Sequence, residues 1–169
     1  QGTWKDTSNW TSPANSTIGY PSKTGDIAVF DKTVSFTQMQ DAGITEGATI
    51  VLRVEEGYEV SFGDWSSAFS NRNFIVEKGT VSFGSGDKYG DITIGSNAKV
   101  EIKQVKVKSI TNQGELTVTG QLQEVKENLI NEGTITASSS INVTGNFENK
   151  TSAKIKIGGD TTVSGDIKN

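Results

Sequence analysis

Short runs of alternating apolar and polar residues, separated by turn residues, make up most of the chain from about residue 26 onward. Alternation with a period of two is typical of half-buried strands. Helical spacing occurs in one short stretch, residues 121–130, and the position of that stretch within a repeat argues against a helix. The pattern therefore predicts an all-β fold, with strands at residues 26–30, 33–36, 58–62, 80–83, 91–94 and 99–103.

A repeat in the last third of the chain specifies the kind of β fold. An apolar residue, any residue and then asparagine recur at Asn112, Asn131, Asn149 and Asn169, with separations of 19, 18 and 20 residues. A fixed period of about 19 residues with strand alternation predicts coils stacked at ~4.8 Å. We therefore expect a single-stranded β-solenoid, a parallel β-helix with coils of about 19 residues.

The repeated asparagines and glycines have a structural interpretation. Asparagine suits a tight corner, and its side chain can stack as a ladder between coils. Gly114 and Gly133 follow the first two asparagines at the same offset, and we expect them to supply positive φ at the corner. If the coils are aligned by the repeat, apolar inward columns result: Leu116 over Ile135 and Ala153, and Val118 over Ala137 and Ile155.

Two other regions depart from the regular repeat. Residues 40–100 alternate well but keep the period poorly, so their coils are expected to carry irregular loops. Residues 1–30 are polar and turn-rich and contain Trp4, Trp10, Tyr20 and Phe30. Because the open end of a solenoid exposes strand edges and apolar columns, this segment is interpreted as an aromatic N-terminal cap. Residues 31–169 then form the solenoid, which stops in mid-motif at 167–169, as expected if the parent protein continues.

Composition removes several classes of function. The chain contains no cysteine and no histidine, which excludes disulfides, thiolate chemistry and the usual zinc and triad sites. Net charge is -4, and the densest basic stretch, residues 103–108, fits a solvated strand face, so no nucleic-acid partner is expected. No apolar run approaches the ~20 residues of a transmembrane helix. No cofactor is predicted.

Several motifs resemble a known class of surface protein. Residues 129–135 and 143–149 are similar to coils in the passenger regions of bacterial autotransporters and filamentous-haemagglutinin-like proteins, and residues 4–10 and 20–30 are similar to the start of such passengers. The resemblance covers roughly residues 4–30 and 105–169. It implies an extracellular or outer-surface location, a structural or adhesive role without enzymatic activity, and as partners a host-surface glycan or protein and neighbouring coils of the parent protein.

Candidate chemistry is sparse. Trp65, Tyr58 and Tyr89 offer aromatic faces that could stack on sugar rings. Asp87 and Asp91 lie in a glycine-rich run that could supply oxygens to calcium, although a plain solvated turn is favoured. No repeat offset places two carboxylates on one face, so no catalytic residue is assigned.

Two alternatives to the surface adhesin remain open at this stage. One is a carbohydrate-binding or polysaccharide-degrading β-helix, because some β-helix enzymes use clustered carboxylates. The other is a phage or spike fibre, which would be trimeric.

Overall fold

A computed structural model describes residues 4–6, 20–36, 41–63, 67–85 and 88–169. These residues form sixteen β-strands and a short 3₁₀ helix, Ser67–Phe69, with no α-helix among them. Every strand pairing that the structure describes is parallel, as in Ile27 with Val51 and Leu129 with Phe147. The chain is therefore the predicted all-β solenoid, in which each coil lies on the one before it.

The strands lie on three faces of the solenoid. The first face contains β1 Ile27–Phe30, β3 Thr49–Val54, the first part of β5 Asn73–Phe83, the middle of β6 Lys88–Ile102, the second part of β7 Val105–Asn112, β10 Asn128–Asn131, β13 Asn146–Asn149 and β16 Ile167–Lys168.

The other two faces take the remaining strands. The second face contains β2 Val34–Phe36, β4 Glu59–Phe62, the ends of β5 and β6, β8 Glu115–Val118, β11 Thr134–Ala137 and β14 Lys154–Ile157. The third face contains the starts of β6 and β7, β9 Leu122–Val125, β12 Ile141–Val143 and β15 Thr161–Val163. Residues 121–130, the one stretch with helical spacing, form β9 and β10.

Each inward position is repeated in the coil below, so the core consists of columns. Alternation directs every second side chain inward. The parallel register then places side chains of similar type above one another in successive coils. One column of the second face runs through Val34, Val60, Val81, Val100, Leu116, Ile135 and Ile155. The next runs through Phe36, Phe62, Phe83, Ile102, Val118, Ala137 and Ile157.

The predicted register between β11 and β14, at the lower end of these columns, is wrong by two residues. Ile135 lies over Ile155 rather than Ala153, and Ala137 lies over Ile157 rather than Ile155. The cause is a turn after β13, in which Ala153 N–H donates to the carbonyl of Lys150 at 2.8 Å. This turn absorbs two more residues than the corner after Asn131, so alignment by sequence offset placed the last coil two residues too early.

The aromatic residues near the N-terminus cluster in the core. Trp4 is fully buried, and its ring centroid lies 5.2 Å from Phe36 and 5.4 Å from Phe69. Its indole N–H donates to the carbonyl of Pro21 at 2.7 Å. The predicted aromatic cluster is therefore present, while Trp10 lies outside the described residues. Strand β1, in the predicted cap segment, pairs with β3 as part of the sheet.

Coil length differs along the solenoid. Strand β1 pairs with β3 at an offset of 24 residues, as Ile27 does with Val51. From β7 onward, paired residues lie 17 to 20 residues apart, from Val105 with Leu122 to Phe147 with Ile167. The longer early coils contain the irregular 41–48 segment and the 3₁₀ helix, in agreement with the poor period of that region.

Candidate functional site

The asparagine ladder runs down the interior of the first face. Asn112 and Asn131 are fully buried. The amide of Asn112 donates to Oδ1 of Asn131 at 2.8 Å, and the amide of Asn131 donates to Oδ1 of Asn149 at 2.8 Å. The same two amides also donate to the backbone carbonyls of Thr134 and Lys154 at 3.0 Å. Because buried amides require partners, the ladder is an interior structural element and not a surface site.

The asparagine ladder meets an apolar column above Asn112 and is followed by the exposed Asn169 at its other end. The column continues upward as Ile94, Val76, Leu52 and Ala28. Asn112 therefore faces Ile94, and its buried Oδ1 has no hydrogen-bond partner among the described residues. At the other end, Asn169 is exposed and lies one residue beyond β16.

The geometry corrects the predicted role of the corner residues. Neither the ladder asparagines nor Gly114 and Gly133 have positive φ; among the described residues that are not glycine, Asn71 is the one that does. Glycine is required for a different reason. A Cβ on Gly114 would lie 2.4 Å from the carbonyl oxygen of Gly95, and one on Gly133 would lie 2.2 Å from that of Gly114. Close approach between coils, and not backbone strain, excludes a side chain here.

The aromatic candidates for sugar stacking that the structure describes differ in their exposure to solvent. Tyr58 is 41% exposed, next to β4. Tyr89 is 3% exposed and packs edge-on against Phe83 with centroids 4.9 Å apart. A ring enclosed by the core offers no face to a sugar, so the stacking predicted for Tyr89 is wrong. Trp65 lies outside the described residues.

The structure describes one of the two residues of the proposed calcium pair. Asp87 lies outside the described residues. The carboxylate of Asp91 forms an ion pair with the ammonium of Lys108 at 3.7 Å, and the backbone N–H of Asp91 donates to Oδ1 of Asn73 at 2.7 Å. No group of three or more Asp or Glu side chains that could hold a metal ion occurs within the described ranges.

A shallow surface groove of about 650 Å³ lies where the third face meets the first. Four lysines from consecutive coils line it: Lys88, Lys106, Lys108 and Lys126. Lys88 pairs directly with Lys106 across β6 and β7. Val107 pairs with Val125, so Lys108 and Lys126 occupy the next position of each coil. The groove also contains Asn71, Asn73 and Glu124.

Sequence reasoning missed this groove. It identified residues 103–108 as basic and interpreted them as a solvated strand face. The signal that could have found the groove was the spacing of the lysines: Lys88 lies 18 residues before Lys106, which is one coil. Lysines separated by one coil length become neighbours on the surface of a parallel solenoid.

Comparison with known proteins adds nothing to this picture. No protein-family model, no curated protein and no solved structure matches the chain. Within the described residues, no helix has the length and apolarity needed to span a membrane. The functional argument for this chain therefore rests on its own residues.

Proposed function

We propose that this chain is a segment of a cell-surface structural or adhesive β-solenoid, in which the stacked coils act as a rigid spacer and the outer faces make contacts. The observation that carries the proposal is the continuous parallel stacking of the described strands around one apolar interior. Each coil contacts mainly its neighbours, which suits an elongated spacer.

The last coil supports a role for neighbouring coils as partners. Ile155 and Ile167 continue inward columns, yet they are 37% and 64% exposed. In the coils above, the same column positions are buried; Leu116 and Ile135, for example, are at most 1% exposed. A neighbouring coil stacked on β14 and β16 would bury these side chains and pair the strand edges.

Surface location is tested by labelling cells of the source organism with an antibody raised against residues 105–169. We expect labelling of intact cells, with a cytoplasmic marker that is labelled only after permeabilisation as the control. Labelling that requires permeabilisation would rule out the surface role.

The absence of enzymatic activity is tested by screening the chain against a panel of polysaccharides for release of reducing ends. We expect no turnover. Turnover that is lost in Asp91→Asn would favour the polysaccharide-degrading alternative. Binding to a neutral glycan that is lost in Tyr58→Ala would favour a carbohydrate-binding role through aromatic stacking.

A further inference from the structure

The lysine groove concentrates positive charge in a chain whose net charge is -4. Lys88, Lys106, Lys108 and Lys126 are all exposed and belong to three successive coils. Parallel pairing sets neighbouring coils ~4.8 Å apart, and residues two apart on a strand lie ~7 Å apart. The four side chains therefore form a staggered cluster of two neighbouring pairs, Lys88 with Lys106 and Lys108 with Lys126.

Acidic side chains compensate the cluster only in part: Glu124 is directly opposite Lys106 and lines the groove, and Lys108 has two acidic neighbours. Lys108 has Asp91 at 3.7 Å and Glu127 at 3.9 Å. Lys88, Lys106 and Lys126 make no ion pair within 4.0 Å to any described residue. Three ion pairs link adjacent coils elsewhere: Arg53 with Glu77 at 2.8 Å, Lys78 with Glu55 at 2.7 Å and Lys99 with Glu115 at 3.1 Å.

The stability of the fold does not explain why Lys88 lies opposite Lys106. Like charges directly opposite each other on neighbouring strands are destabilising, and Lys88 is directly opposite Lys106. The rest of the solenoid shows that the chain can place an acidic residue at such a position, as Glu115 is placed opposite Lys99. Three amino groups that make no ion pair within 4.0 Å to a described residue, gathered around one groove, are what a ligand with several negative charges requires.

We propose that this groove binds a segment of an acidic polysaccharide, whose sulfate or carboxylate groups pair with Lys88, Lys106 and Lys126. This proposal rests on the adhesive function above and deepens it by naming the class of ligand. A single-stranded nucleic acid is disfavoured, because such chains bind through stacking on exposed aromatic rings. The aromatic side chain in the groove, Tyr89, is buried.

The test measures binding of the purified chain to dextran sulfate, to a polyuronate, to uncharged dextran and to single-stranded DNA. The variant replaces Lys88, Lys106 and Lys126 by Gln. A matched control replaces Lys154, Lys156 and Lys168 by Gln, which removes the same charge from exposed positions on β14 and β16. Far-ultraviolet circular dichroism checks that both variants keep the fold, and if the triple groove variant unfolds, Lys106→Gln and Lys126→Gln are measured singly.

We expect one or both acidic polysaccharides to bind, with the groove variant weaker by about tenfold, since each exposed ion pair contributes modestly. The control variant should change affinity by less than about threefold. Affinity should fall as salt is added, because salt screens exposed charges. Preference between dextran sulfate and the polyuronate identifies the acidic group.

Several results would overturn the proposal. Equal losses in the two triple variants would indicate a response to overall charge. Uncharged dextran binding as well as its sulfated form would exclude charge pairing, and tighter binding of single-stranded DNA would make nucleic acid the ligand. If intact cells are labelled but the purified chain binds no acidic polymer, the polysaccharide site is refuted and the surface role is retained. If the chain binds an acidic polysaccharide but labelling requires permeabilised cells, the surface role is refuted and the binding site is retained.

Discussion

The coils up to Ile102 and the coils from Val105 onward have the same parallel stacking, but different types of side chain fill their interiors. The first region places all but one of the phenylalanines in its core and uses steps of up to 26 residues. The second region is mostly aliphatic, steps by 17 to 20 residues, and contains the amide ladder. Longer coils enclose more interior, which large rings fill; shorter coils have room for an aliphatic column and one column of amides.

The two interiors also differ in how well they accommodate irregular strand pairing. Ring packing is dense but not directional, so it can accommodate the bulges recorded in β5 pairings. The amide ladder requires each side chain to meet the next at hydrogen-bond distance, so it depends on an unbroken strand register on the first face. The second region also has register shifts, but they lie on the third face, in the pairings of β9 with β7 and β12. The first face, which holds the polar column, pairs without a shift in this region. The following variants test the link between that regular pairing and the polar column.

The largest effect is expected from Phe62→Ala. Phe62 is fully buried and lies between Phe36 and Phe83, with centroids 5.7 Å and 5.3 Å away. Its removal leaves a cavity, which should lower the free energy of unfolding by about 3–5 kcal/mol. All three tryptophans lie in the first 65 residues, so their fluorescence during denaturation reports on this region. Tyr58→Ala, at an exposed position, is the control and should change stability by about 0.5 kcal/mol or less.

Asn131→Ala should be the most damaging change in the second region. It removes the middle of the ladder and leaves polar groups of Asn112 and Asn149 without their partner. Since each buried polar group left unpaired costs about 1–3 kcal/mol, we expect a loss of about 2–4 kcal/mol. Asn142→Ala, which loses one hydrogen bond to the carbonyl of Gln123, is the matched control.

Circular dichroism and tryptophan fluorescence together distinguish the two regions in that experiment. If the regions unfold separately, Asn131→Ala should lower the denaturation midpoint measured by circular dichroism more than the midpoint measured by fluorescence. A loss no greater than that of Asn142→Ala would show that the ladder does not stabilise the coil.

Gly145→Ala tests how closely the regular coils approach each other. A Cβ at Gly145 would lie 1.5 Å from the carbonyl oxygen of Glu127, whereas one at Gly158 would lie 3.4 Å from that of Ala137. Forcing the coils apart should cost about 1–3 kcal/mol in thermal or chemical unfolding. Gly158→Ala should be neutral or slightly stabilising. Equal effects of the two substitutions would contradict the close approach.

Ile94→Asn would extend the polar column into the first region. The new amide could donate to the unpaired Oδ1 of Asn112. Ile92→Asn, two residues away on the same strand and also buried, meets only Phe74 and Ile110 in its column. Both changes should destabilise, but Ile94→Asn by about 1 kcal/mol less, the contribution of one net hydrogen bond. Equal losses would mean that the ladder cannot grow upward.

The smallest effect should be a pH response at the N-terminal end. The hydrogen bond from Lys5 holds the pKa of Asp41 below its ordinary value of 3.8, and the same bond holds the pKa of Lys5 above 10.5. The pair therefore stabilises the fold between these values. That contribution is lost as pH falls through the lowered pKa or rises through the raised one.

Because both groups are exposed, solvent screening keeps this effect small. Fluorescence-monitored stability of the wild type should drop more than that of Asp41→Asn between neutral pH and pH values below 3.8. Parallel curves for the two proteins would show that the pair has no measurable role.

Much of the fold could be predicted because its signals are local. Alternation along each run sets which side chains face inward, and the 19- and 18-residue spacing of Asn112, Asn131 and Asn149 sets which coils meet. The ladder follows from these two facts. The alignment of Ile155 could not be predicted, since it depends on how many residues the turn after β13 absorbs.

The amino-acid sequence by itself thus determined the strands, the coil length of the second region and the column of asparagines, because each is encoded within one or two periods of the chain. Tertiary structure alone decided that Tyr89 is buried, that Gly114 and Gly133 avoid carbonyls of the preceding coil, and that Lys88 and Lys126 join Lys106 in one groove. Those features depend on contacts between coils, and such contacts are set by turn geometry and packing that no single stretch of sequence contains.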